Sequence, residues 1–164
     1  VLAEAWRIAA PQVPRAALHL VGRGTMTATV EGLVAGGGGR VRWSPALSTS
    51  GVADALDAST ALVLPSRSEG LGRVVVEAFC RGRAVVGSRV GGIPDLVTHE
   101  QTGILVPPED PGALAEALVR ILSDTELARR LGAAGRVAVE PWLATPEQYA
   151  TRVRDLVERV VEGT

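Results

Sequence analysis

Five short, continuously apolar runs alternate with helix-patterned stretches, and this alternation constrains the fold more than any other feature. The runs occupy residues 16–22, 40–43, 61–65, 84–88 and 103–107. Each reads as a strand buried on both faces, because the polar/apolar alternation of a half-solvated strand is missing. Helical patterns lie between them, near residues 25–35, 51–58, 71–82 and 93–98. Parallel strands joined by right-handed helical crossovers are the economical solution: an α/β sandwich with helices on both faces of the sheet. After residue 107 the pattern is purely helical, over 111–123, 124–139 and 145–162. Asp110 followed by Pro111 marks one helix start, and Ser123 or Asp124 marks the next. The four glycines at 36–39 read as a flexible connection, since the Lys-Ser/Thr of a phosphate-binding loop does not follow them.

Composition narrows the function classes. The 164 residues suit one compact domain, and 46% are apolar. Seventeen basic residues, all arginine, stand against eighteen acidic ones, so no polyanion-binding field is implied. With aromatics at 3%, a stacking platform for single-stranded nucleic acid is not expected, and no nucleic-acid partner is assigned. Cys80 is the only cysteine, which excludes an intrachain disulfide, and its apolar helix suits a small buried hydrophobe. Without a leader or a spanning apolar run, the expected setting is a reducing, cytoplasmic one. Residues 1–10 already read as the inside of an amphipathic helix with no preceding methionine, so the chain is expected to be a fragment of a longer protein.

The chemistry concentrates in "SEGLGRVVVEAFCRG", residues 68–82, where Glu69 and Glu77 stand eight positions apart across a strand–loop–helix junction. Eight residues at helical rise span roughly 12 Å. That is long for the two carboxylates of a glycosidase, about 5–9.5 Å apart, and poor for one metal ion. It suits two grips on an extended ligand. Between them, the free amides of Gly70, Leu71, Gly72 and Arg73 at a helix N-terminus would favour a phosphate. The residues alone leave a second reading open, in which Glu77 sits in a solvated ion-pair row with Arg73 and Arg81 at i−4 and i+4.

Two weaker features accompany it. Gly22-x-Gly24 after a strand resembles a dinucleotide fingerprint, but Thr27 replaces the third glycine and no acidic residue follows about 20 positions on. A plain strand-to-helix turn is the alternative. Gly91-Gly92 before Pro94 reads as a loop at the carboxyl edge of the sheet, or as a tight turn needing φ > 0. His19 and His99 have no partners at metal-ligand spacing, so neither is given a role and no metal site is assigned.

Taken in order, residues 65–118, "PSRSEGLGRVVVEAFCRGRAVVGSRVGGIPDLVTHEQTGILVPPEDPGALAEAL", resemble the C-terminal half of group 1 (family 4) retaining glycosyltransferases. The E-x7-E motif of that family matches Glu69 and Glu77. Its Gly-Gly-Ile-Pro-Glu-Leu-Val segment matches with Asp95 in place of the usual Glu, and Leu71 stands where Phe is commoner. The likeness runs from the first helix to the last ones.

The resemblance implies a Rossmann-like α/β/α sandwich with a parallel sheet, the C-terminal half of a GT-B fold, with its first strand and a basic Arg/Lys loop lying before Val1. It divides the chain into a nucleotide-sugar-binding domain over 1–140 and a C-terminal helix, 141–164, that would cross to an N-terminal domain. It implies transfer of a hexosyl group from a nucleotide diphosphate sugar to a sugar, lipid or small-molecule acceptor, without a metal or other cofactor. Glu77 would hold the ribose and Glu69 would face the transferred sugar, as the catalytic-site residue. The amides at Gly70, Leu71 and Gly72 would contact sugar or diphosphate, with Arg73 beside them, the turn at Ala46 and Leu47 would meet the base, and Gly22 and Gly24 would border the donor. On this view the fragment has no turnover by itself, forms at most a weak homodimer, and belongs to a parent at the inner membrane face or in the cytoplasm. Three other readings are an NAD(P)-binding oxidoreductase domain, a nucleotide-sugar epimerase domain and a non-catalytic contact module.

Overall fold

The structure is a computed structural model describing residues 1–163. Its strands are β1 (Leu18–Val21), β2 (Val41–Ser44), β3 (Ala61–Leu64), β4 (Ala84–Ser88) and β5 (Gly103–Val106). Its helices are α1 (Leu2–Ala9), α2 (Thr27–Gly36), α3 (Thr49–Asp57), α4 (Arg73–Cys80), α5 (Ile93–Leu96), α6 (Pro111–Ser123), α7 (Thr125–Ala138) and α8 (Pro146–Glu162), with a 3₁₀ turn at Glu140–Trp142. All five expected strands are present, and every pairing is parallel.

β4 and β5 carry the core. All their residues are buried, and successive side chains alternate between two apolar clusters, as the period of two demands. Ala84, Val86, Ile104 and Val106 point into one cluster with α1, α6 and α7. Val85 and Leu105 point into the other, with Phe79 of α4 and Ile93 of α5. A third cluster joins Trp6 of α1 to Leu18, Leu33 and Val41, tying β1 and β2 to the body.

The sheet departs from expectation in one respect. The two-faced apolar character of residues 61–65 predicts a place near the centre of a single sheet. The strands instead pair as β1-β2 and β3-β4-β5, with β4 in the middle of the larger sheet and β3 at its edge. β3 is parallel and apolar, yet all four of its residues are only half-buried.

Helix starts follow local chemistry. The Asp110 carboxylate accepts from Ala113 N at 2.9 Å and Asp124 from Leu127 N at 2.8 Å, so Asp124, not Ser123, caps α7. α4 begins at Arg73, later than residue 71, because Gly72 takes a left-handed φ of 78°. The glycine run at 36–39 forms a defined turn: Gly38 and Gly39 have positive φ, and Arg40 N donates to Gly37 O at 3.0 Å. α8 has a complete capping box at Thr145 and Gln148, but Tyr149, Val153, Leu156, Val157 and Val160 on it are 42–65% exposed.

α7 reaches the body through glycines. A methyl group at Gly132 would overlap the carbonyl oxygen of Gly82, while Gly135 lies against the ring of Phe79. This contact locks α4 against α7, so Gly132→Ala should lower stability by about 1–3 kcal/mol through overpacking. Gly32, inside α2 with open space around it, is the control. Gly32→Ala should gain about 0.5–1 kcal/mol from helix propensity. Urea unfolding of both variants should show midpoints moving in opposite directions.

Candidate functional site

Because the strands are parallel, the segments that leave their carboxyl ends share one edge. Gly22 and Gly24 follow β1, Leu47 follows β2, residues 65–72 follow β3, and Gly91-Gly92 follow β4. Ligands of open parallel sheets bind at this edge.

The loop after β3 is held by backbone contact. Gly92 N donates to Gly70 O at 2.8 Å. A methyl group at Gly91 would overlap the carbonyl of Glu69, and one at Gly92 would lie 2.5 Å from Gly70 O. Gly91 also has φ of 51°. Both readings of Gly91-Gly92 therefore meet in one device: the positive-φ turn brings two loops into contact at the carboxyl edge. The half-buried Glu69 carboxylate folds back on its loop, accepting from Gly70 N at 3.1 Å and from Ser66 Oγ at 3.3 Å.

The amides that follow stay open. Val75 N donates to Gly72 O at 2.8 Å, but the amides of Leu71, Gly72 and Arg73 have no acceptor among the described residues. Three unsatisfied N–H groups at a helix start, with the positive end of its dipole, form an anion-favouring surface.

Glu77 stands one turn further along α4, exposed, and without a hydrogen bond or ion pair among the described residues. The ion-pair row considered from sequence does not form. Arg81 pairs with Asp57 across to α3. Helix spacing makes such a row possible, but the tertiary position of α3 supplies a competing carboxylate. Arg73 has no ion pair among the described residues, and Arg67 pairs with Glu109 at 2.9 Å.

Leu47 is separated from this loop. It lines a small cavity of about 240 Å³ together with His19, Arg42, Ser44 and Asp54. Gly22 ends β1 with φ of 128°, and its carbonyl accepts from Trp43 Nε1 at 2.9 Å. A methyl group at Gly22 or Gly24 would meet open space, so no packing requires these glycines, although the φ of Gly22 does. A cleft of about 1030 Å³ lies between β1 and β3 and has Glu77 in its wall. It is not the anion surface, whose open amides lie outside its lining.

Sequence reasoning assigned nothing to His19. The structure places it where the large and small cavities meet, with Nε2 3.0 Å from Ser44 Oγ and Nδ1 buried without a partner among the described residues. Burial, and secondarily the charge of Arg42, hold its pKa below the usual 6.5. A polar residue inside an apolar strand was the available signal, but facing of the strand edge was not.

Two tests follow. Gly91→Ala should cost about 1–3 kcal/mol by collision and backbone strain. Gly70→Ala, which meets open space, should leave the melting temperature nearly unchanged. For His19, the unfolded chain binds its proton more readily than the folded one. The stability present above pH 6.5 should therefore decline as pH falls from 6.5 towards the lowered folded value. His19→Gln should remove that part of the pH dependence in melting curves taken from pH 8 to 5.

Comparison with known proteins identifies the family and the fold. Residues 1–124 match the sequence model of the family described as "Glycosyl transferases group 1". D-inositol 3-phosphate glycosyltransferase of Streptomyces scabiei is 36% identical over 121 residues, covering 70% of this chain and 27% of that protein. The chain thus spans about a quarter of the length of such curated relatives. Sucrose-phosphate synthase from Thermosynechococcus elongatus superposes with a TM-score of 0.80 at 34% identity, over 99% of this chain and 43% of that one. HepE from Anabaena, solved in complex with UDP and glucose, superposes with a TM-score of 0.76 at 21% identity, over 92% of this chain and 44% of that one.

Proposed function

The chain belongs to the group 1 glycosyltransferases and has the Rossmann-like α/β/α fold of the C-terminal half of a GT-B enzyme, and from that premise we propose that it is the donor-binding part of a retaining hexosyltransferase. The observation that carries this reading is the open N-terminus of α4, flanked by Glu69 and Glu77 and backed by Gly91-Gly92.

In this reading a nucleotide diphosphate sugar lies along the carboxyl edge. The amides of Leu71, Gly72 and Arg73 meet diphosphate or sugar oxygens, with the helix dipole favouring the developing negative charge on the leaving diphosphate. Glu77 takes the ribose hydroxyls, and its lack of a competing ion pair among the described residues leaves both carboxylate oxygens available. Glu69 faces the transferred sugar, Leu47 borders the base, and Gly22 and Gly24 leave room at the end of β1. Charge stabilisation by amides and arginines suits a transfer that needs no metal.

The division at residue 140 belongs to the same proposal. The exposed stripe of α8 supports a helix that an N-terminal acceptor-binding domain covers in the parent, or a second copy in the isolated chain. Among the described residues no helix is long and apolar enough to cross a membrane. A cytoplasmic setting, with the parent at the inner membrane face, is part of the same reading. The family match favours the transferase over the NAD(P)-dependent oxidoreductase and the epimerase domain.

The reading is tested in the intact parent protein by calorimetric titration with UDP, GDP and ADP and with their sugars. Glu77→Gln should weaken nucleotide binding by about 1.5–3 kcal/mol, the worth of hydrogen bonds to a charged group. Its melting temperature should hold, since no ion pair is lost. Glu69→Gln should bind the bare nucleotide nearly as wild type and lose the gain contributed by the sugar. Equal nucleotide affinity in wild type and Glu77→Gln would defeat the assignment of Glu77.

A further inference from the structure

Among the described residues, two that are not glycine have a left-handed φ: Glu100 at 65° and Glu109 at 58°. A side chain is strained at such a φ, and glycine would remove the strain. Burial does not explain either residue, since their side chains are 37% and 60% exposed. Both carboxylates instead meet an arginine. Glu100 takes Arg120 of α6 in two bonds of 2.6 and 2.7 Å. Glu109 takes Arg67 Nε at 2.9 Å. Glu100 precedes β5, at the amino edge of the sheet, and ties its turn to α6. Glu109 follows β5, at the carboxyl edge, and its partner lies on the loop after β3, two residues before Glu69.

The second pair crosses the sheet. β4 lies between β3 and β5, so the strands leading to Arg67 and Glu109 are two spacings apart, about 9.5 Å. Two long side chains meeting end to end cover that span over the exit of β4. The Glu109 end is fixed. Pro107 and Pro108 restrict the backbone before it, and Asp110 after it caps α6 by accepting from Ala113 N at 2.9 Å. The Arg67 end lies inside the turn that folds the Glu69 carboxylate back, where Ser66 Oγ donates at 3.3 Å and Gly70 N at 3.1 Å. Gly92 N already holds this turn at Gly70 O. The ion pair holds its other end.

We propose that Arg67 and Glu109 form a strap across the exit of β4 that sets the position of the Glu69 carboxylate, and that both are positioning residues for sugar transfer. The second half rests on the reading in which Glu69 faces the transferred sugar. Both side chains of the pair are well exposed, so the strap adds little to global stability. It still biases a surface loop, because a small energy decides between local conformers of similar free energy. The left-handed Glu109 is its mark: a strained backbone is kept where the surroundings hold it, and here the carboxylate meets Arg67.

Amide exchange and calorimetry in the intact parent test the two halves separately. The Gly92 amide reports whether the loop is seated, because its acceptor is Gly70 O. Its exchange should quicken about two- to fivefold in Arg67→Gln and in Glu109→Gln, the range of an exposed ion pair. The double variant should be no faster than either single one, since two residues that act as one unit do not add. Arg120→Gln breaks the pair at the amino edge and should leave Gly92 unchanged. Titration with UDP, GDP and ADP and with their glucose conjugates then reads the sugar's contribution. That gain should shrink about two- to fivefold in both single variants, with affinity for the bare nucleotide kept. Glu109→Gly separates positioning from folding. It should hold or raise the melting temperature by relieving the left-handed φ, and still lose the sugar gain. Unchanged Gly92 exchange, or effects that add in the double variant, would overturn the strap. Faster exchange with the sugar gain intact would overturn the positioning role. No gain from any sugar in the wild type would count against the donor reading instead, and Gly92 exchange would still decide the strap.

Discussion

A strand without a polar face organises this molecule. β4 is buried from Ala84 to Ser88, so both of its faces must be covered and both of its edges paired. Helices α1, α6 and α7 take one face, and α4 and α5 take the other. With strands pointing one way and helices on both sides, the loops that leave the carboxyl ends are the parts free to contact a ligand. Everything assigned to the site sits on those loops or on the first turns of α4.

Within that frame, the site depends on glycine more than on charge. Gly91 and Gly92 let one loop lie against the backbone of Glu69 and Gly70, which no side chain at those positions would permit. Gly72 turns the chain into α4 with a left-handed φ, leaving the amides ahead of the helix unbonded. Carboxylates on either side of an anion-favouring helix start would repel a diphosphate if they faced it. In the proposed donor site they take hydroxyls at its two ends, a role that suits the wide spacing of Glu69 and Glu77. Arg81 is drawn off by Asp57, so Glu77 stands at the wall of the cleft without an ion pair among the described residues.

The elements themselves were legible. Short apolar runs became parallel strands because continuous burial leaves no polar face to solvate, and Asp110-Pro111 became a capped helix start because cap chemistry is local. Where the reading missed, a longer-range contact was responsible. Arg81 had a partner in reach along its own helix, but Asp57 on α3 took it. The glycine run at 36–39 looked flexible, whereas two positive-φ glycines and the Arg40–Gly37 bond close a defined turn. His19 carried no pattern, and its place where two cavities meet depends on which edge of β1 goes unpaired. β3 had the composition of a central strand and stands at an edge, because composition reports that a strand expects two neighbours and not whether both are present.

The sequence by itself determined the parallel α/β architecture, the helix boundaries set by local caps, and the pair of carboxylates around a glycine-bracketed turn. These rest on periodicity, backbone propensity and hydrogen bonds between residues a few positions apart. Only the tertiary structure decided that Gly91-Gly92 supports the Glu69 loop, that Glu77 has no ion pair among the described residues, and that β1 and β3 face each other across a cleft. Each of these depends on which groups meet from distant parts of the chain, and neither spacing nor composition encodes that meeting.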